Sequence, residues 1–95
     1  MENYIWETPT EIDKELALRV KRIRKRKKIT QKELAMRANV SYGTLKKFEQ
    51  TGDISLKALT KIALELGVID EIKGLFNRTV YSSLEEVVNE KQQNS

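Results

Sequence analysis

Between Thr30 and Gln50 the chain carries two helix-length patterns on either side of one turn-competent residue, Asn39, and this limits its possible folds more than any other feature. Thr30 followed three residues later by Glu33 is a capping-box pattern, in which a hydroxyl and a carboxylate satisfy the unpaired N–H groups at a helix start. Leu34, Ala35 and Ala38 supply a narrow apolar face, so the spacing predicts a short helix over about residues 31–38. Asparagine tolerates the left-handed backbone of a tight turn, which lets the chain reverse at Asn39. Beyond it Val40 is placed to plug the core, Ser41 to cap a new helix, and Leu45 and Phe48 to form the inner face of that helix, which ends near Gln50. Two helices joined this closely need small side chains where they cross, which Ala35 and Ala38 provide. The second helix then keeps its outer face free.

The flanking patterns are also helical. Apolar residues at Ile12, Leu16, Val20 and Ile23 draw one stripe down a helix ending near Lys27. Ser55 caps a fourth helix with a stripe of Leu56, Leu59, Ile62, Ala63 and Leu66, closed by Gly67. A fifth, around residues 70–76, offers Ile72, Leu75 and Phe76. Only Thr79–Tyr81 shows strand-like character, so the expected fold class is all-α, with five short helices around one core. Residues 1–12, with Pro9 and little periodicity, read as an N-terminal arm in which Tyr4, Ile5 and Trp6 form a possible hydrophobic hook. Residues 13–77 form the domain. Residues 78–95 are a C-terminal extension, where Ser82 with Glu85 or Ser83 with Glu86 can cap a short helix bearing Leu84, Val87 and Val88 before a polar tail.

With 95 residues the chain has room for one compact core. It contains no cysteine and no histidine, which removes disulfides, thiolate metal sites, the cysteine nucleophile and the commonest general base. The carboxylates are scattered, with no ligand or catalytic spacing, so neither an enzyme nor a cofactor-dependent protein is expected. No apolar run approaches the roughly 20 residues needed to span a bilayer, and the acidic N-terminus is unlike a secretory leader. A cytoplasmic location is expected. A basic helix lying on a membrane surface is disfavoured, because Leu16, Val20 and Ile23 are needed for the core.

The net charge of +4 conceals a marked asymmetry. Residues 1–13 carry four acids and no base, residues 14–47 thirteen bases and two acids, and residues 48–95 five bases and eight acids. A contiguous cationic segment suits a polyanionic partner, although an isolated run such as Arg22, Arg24, Lys25, Arg26, Lys27 and Lys28 also reads as a solvated helix face.

The stretch from Gln31 to Gln50, QKELAMRANVSYGTLKKFEQ, resembles the helix-turn-helix of the phage-repressor-like (Cro and xenobiotic-response-element) regulators, and the resemblance extends over roughly residues 14–76. It implies a five-helix lambda-repressor-like DNA-binding domain that binds double-stranded operator DNA, usually as a homodimer, with the helix after the turn in the major groove. The expected function is sequence-specific transcriptional regulation, most readily as a repressor. Small regulators of this type are often the antitoxin half of a toxin pair, which gives an alternative function and a toxin as a second partner.

Carried across residue by residue, the resemblance places Gln31 at the start of the second helix, where its side chain and backbone amide meet a phosphate and set register. Tyr42, Gly43, Thr44, Lys46 and Lys47 fall on or near the outward face of the third helix, and Lys32, Ser41, Gln50 and Thr51 complete the expected DNA-contacting set. Lys47 is the first candidate for a base-edge contact, as its ammonium can donate to guanine O6 or N7; the alternative is that Lys46 and Lys47 only neutralise phosphate. Tyr42 can stack or touch a thymine methyl, and Thr44 can bond a base or a phosphate. Gly43 replaces a polar residue often seen there, giving no side-chain readout but permitting close backbone approach. Lys28 replaces the glycine that commonly ends the first helix, which puts the shape of that turn in question. Arg24 and Glu49 occupy positions where the resemblance implies a structural ion pair. A protein partner would sit on the acidic arm or on the Leu84, Val87, Val88 stripe; both segments can equally fold back on the core or form a dimer seam.

Overall fold

The computed structural model describes residues 7–77, which form five helices: α1 (Pro9–Arg26), α2 (Gln31–Ala38), α3 (Tyr42–Thr51), α4 (Leu56–Leu66) and α5 (Ile69–Lys73). No strand occurs among the described residues, so the fold is all-α as the periodicities predict. The hydrophobic hook at Tyr4–Trp6 and the C-terminal stripe of Leu84, Val87 and Val88 lie outside them.

Local chemistry sets most of the helix ends. The Thr30 hydroxyl accepts from the Glu33 N–H, and the Glu33 carboxylate accepts from the Thr30 N–H, both at 3.1 Å, so the capping box opens α2. Asn39 closes it in the left-handed region at φ 58°. Ser41 and Ser55 cap α3 and α4 through their side-chain oxygens, and Gly52 and Gly67 end those helices with positive φ.

At the N-terminus the helix begins earlier than the periodicity suggests. Part of the expected arm, from Pro9 to Ile12, is the first turn of α1, because the Thr8 hydroxyl caps the Glu11 N–H at 3.1 Å and a proline at the start needs no N–H partner. The turn that follows α1 is closed by Lys28, a non-glycine residue at φ 58°, so the backbone keeps the conformation in which glycine is at home.

The core is built from α1, α2, α3 and α4, with Phe48, Leu34, Leu45, Ile62 and Leu66 fully buried. Each such side chain contributes about 1.5–3 kcal/mol by leaving water. In α1 the buried face is Ala17, Val20 and Arg24, rotated from the expected stripe: Val20 is buried and Ile23 half-buried, whereas Ile12 and Leu16 are exposed. The close approach of α3 explains the shift, since at the crossing only a small residue such as Ala17 fits, and the larger apolar side chains turn outward. Leu59, Ile62, Ala63 and Leu66 of α4 are buried as expected, but Leu56, in the first turn, is 68% exposed. The fifth helix stops at Lys73, so Leu75 and Phe76 follow it instead of facing inward from it, and both are exposed. Ile29, which belongs to no periodic stripe, is buried between α1 and α2.

Candidate nucleic-acid interface

The corner formed by α2, Asn39 and α3 fixes which side of α3 reaches solvent. Leu45 and Phe48 are 0% exposed and seat the helix on the core, and Val40 packs against the same cluster. The opposite side carries Tyr42, Gly43, Lys46, Lys47 and Gln50, all exposed, with Thr44 half-buried beside them. Gln31 and Lys32 occupy the first two positions of α2, where backbone N–H groups have no partner within the helix and the helix dipole is positive.

Tyr42 joins these two groups. The Lys32 ammonium lies 5.5 Å from the centre of its ring and the Lys46 ammonium 5.8 Å, within cation–π range. One aromatic ring thus lies within reach of a cation from α2 and a cation from α3. The ring offers both ammonium groups an attractive surface at little cost in desolvation, and they remain exposed.

Hydrogen-bond accounting divides the remaining candidates. The Ser41 hydroxyl accepts from the Thr44 N–H at 3.0 Å and donates to the Thr44 hydroxyl at 2.7 Å. Its single proton is therefore engaged, while that of Thr44 is left to donate elsewhere. The Thr51 hydroxyl donates to the Lys47 carbonyl at 2.8 Å and accepts from the Asp53 N–H at 3.1 Å, so it serves the end of α3. Lys47 reaches Asp53, with Nζ 3.1 Å from a carboxylate oxygen in an exposed pair. The ammonium keeps two further N–H donors in solvent, and the carboxylate beside it partly offsets its charge.

Gln31 is tied inward. Its side-chain amide donates to Glu49 at 2.9 Å, and the same carboxylate receives the Arg24 guanidinium through Nε at 2.8 Å and Nη2 at 2.9 Å. The third Arg24 nitrogen, Nη1, donates to the Ile29 carbonyl at 2.8 Å. Both ionic side chains are buried, at 8% and 2% exposure, and no buried side-chain nitrogen or oxygen among the described residues lacks a partner. The network fastens α3 to α1 and to the start of α2, so the outward ridge is mounted on a rigid base. Sequence reasoning missed the Gln31–Glu49 and Lys47–Asp53 contacts and the Tyr42 cation–π pair. Each joins different elements, or crosses the turn after α3, where periodicity is silent.

Two short helices in a tight corner, the second with its outer side bare and basic, define a helix-turn-helix protein. The chain matches the family described as Helix-turn-helix over residues 20–70 and belongs to it, as a regulator of the Cro and xenobiotic-response-element type; it is a DNA-binding transcriptional regulator. No curated protein and no solved structure matches the chain. No described helix is long and apolar enough to cross a membrane.

Proposed function

We propose that the protein is a sequence-specific repressor that lays α3 in the major groove of double-stranded operator DNA in the cytoplasm. The observation that carries this reading is the polarity of α3, with Leu45 and Phe48 at 0% exposure on one side and Tyr42, Lys46 and Lys47 in solvent on the other. Lys32 and Lys46, both within cation–π range of Tyr42, take backbone phosphates, and the Gln31 backbone N–H takes another at the positive end of α2. Lys47 and the free hydroxyl proton of Thr44 read base edges. Gln50 lies at the far end of the same ridge. Ser41 and Thr51 shape the two ends of α3 and contribute through the backbone, because their hydroxyl protons are engaged inside the protein.

Operator binding takes place as a two-fold dimer, with half-sites about 34 Å apart or at a multiple of that spacing. The experiment is selection of bound duplexes from a random pool: a repeated half-site motif at helical-turn spacing is expected, and recovery of no common sequence overturns the reading. On the antitoxin alternative a toxin would contact the acidic arm or the Leu84, Val87, Val88 stripe, and of these only residues 7–12 lie among the described residues.

A further inference from the structure

An apolar groove of about 230 Å³ lies on the side of the domain formed by α1, α4 and α5. Ile62 and Leu66, nearly fully buried, form its floor. Its banks are Leu16 and Ile23 of α1 and, opposite, Ile72 and Leu75. Leu16 is 39% and Leu75 52% exposed, so aliphatic surface stands open along both edges. The groove is smaller than the roughly 300–1,000 Å³ of sites for drug-sized ligands and suits a few aliphatic side chains.

We propose that the groove is the seat of this chain's own C-terminal segment, with Leu84, Val87 and Val88 laid into it as a short helical turn. Three observations converge on that occupant. The described chain ends at Asn77, two residues beyond Leu75, which is itself a bank of the groove. Six residues lie between Asn77 and Leu84, and the seven steps from one to the other give a reach of up to about 23 Å at roughly 3.3 Å per residue. The segment also carries aliphatic side chains at a helical spacing of three and four that nothing else in the described structure accounts for.

Charge fixes the sense of docking. Arg19 lines the α1 bank and Glu71 the α5 bank, so Glu85, which borders the aliphatic face of such a turn, is accommodated beside Arg19 and not beside Glu71, while Glu86 falls on the solvent side. A tethered segment meets the groove at millimolar effective concentration, which a second copy does not reach in dilute solution. No residue of α2 or α3 lines the groove, so its occupant does not take the place of the Tyr42, Lys46 and Lys47 ridge, and the inference is independent of operator binding.

The absence of cysteine makes a clean test possible in the full chain. A nitroxide attached at Asn89→Cys is expected to erase the methyl NMR signals of Leu16, Ile72 and Leu75. In a mixture of isotope-labelled protein without nitroxide and unlabelled protein with it, those signals are expected to persist. Adding Val87→Asp, a change outside the described domain, should restore the lost signals while the rest of the spectrum stays in place. Full signals in the singly labelled chain would leave the groove to residues 1–6 or to nothing, and overturn the proposal. Signal loss in the mixed sample would assign the groove to a second copy and overturn it equally, as would quenching that survives Val87→Asp.

Discussion

Arg24 of α1 holds both carboxylate oxygens of Glu49 in α3, through Nε at 2.8 Å and Nη2 at 2.9 Å, and the pair is almost closed to solvent. A buried pair contributes little net stability over well-packed apolar residues, but removing one partner strands the other and costs about 3–5 kcal/mol. Arg24→Met and Glu49→Leu are each expected to lower the unfolding free energy by that amount in denaturant titrations. The double variant should lose less than the sum, because neither charge is then left alone. Additive losses would show that the two side chains act independently.

Lys47 and Asp53 stand in the opposite situation. Their contact at 3.1 Å is exposed, at 65% and 70%, and such a pair is worth at most about 1 kcal/mol. Lys47→Ala should therefore leave melting nearly unchanged while weakening operator binding by about 1–3 kcal/mol. Asp53→Asn releases the ammonium and removes a negative charge from the DNA side, so affinity should rise, by up to about fivefold. Gel shifts at fixed salt measure both. An unchanged affinity for Lys47→Ala removes that residue from the interface.

What could be read in advance was what neighbouring residues decide among themselves. Thr30 and Glu33, Asn39, Ser41 and Ser55 act on backbone groups within three residues, and each sits where its chemistry required. The α1 stripe was legible only in part, since hydrophobicity favours Ile12 and Leu16 whereas the fit against α3 selects Ala17 and admits the long stem of Arg24. Leu56 and Leu75 fail for a related reason: spacing identifies a face, but cannot tell how far along it a partner extends. At the candidate site, the side of α3 that faces solvent followed from Leu45 and Phe48. Which protons remain available there did not, because Gln31, Thr51 and Lys47 make contacts that depend on the folded corner.

Lys28 closes the turn after α1 at φ 58°, where a lysine Cβ is crowded by the backbone. That strain amounts to roughly 1–2 kcal/mol, while glycine makes the unfolded chain floppier by about 0.4–1 kcal/mol. The first effect is the larger, so Lys28→Gly is expected to stabilise the protein by up to about 1 kcal/mol. A lower midpoint in thermal or denaturant unfolding would show that the side chain of Lys28 makes a compensating contact.

Two glycines on α3 and its end should respond in opposite directions to alanine. Gly52 has φ 82°, and a Cβ there would stand 2.6 Å from the backbone carbon of Asp13 in α1. Neither backbone can yield without opening the α1–α3 contact, so Gly52→Ala should cost about 2 kcal/mol or more. At Gly43 a Cβ meets nothing within 4 Å, and alanine gains roughly 1 kcal/mol of helix propensity. Gly43→Ala should therefore melt higher and yet bind operator more weakly, since the added methyl lies on the face proposed to approach DNA. Unchanged binding would mean that the α3 backbone does not come close to the duplex at this position.

The Glu33 carboxyl is held below its ordinary value of 4.5, first by the N–H of Thr30, then by the Thr30 hydroxyl, with a smaller contribution from Arg37. A carboxylate whose folded pKa is depressed adds stability that is complete above the unfolded value and disappears as pH falls through the folded one. The capping box of α2 should accordingly hold at neutral pH and weaken as the solution is acidified below about 4.5. Glu33→Gln keeps the shape of the cap but has no proton to take up, so its unfolding free energy should fall less steeply over that range than the wild type's. The difference should be small, because Glu33 faces solvent and its charge is screened. Parallel acid titration curves for the two proteins would mean that the Thr30–Glu33 pair does not distinguish the charged carboxylate from the neutral amide.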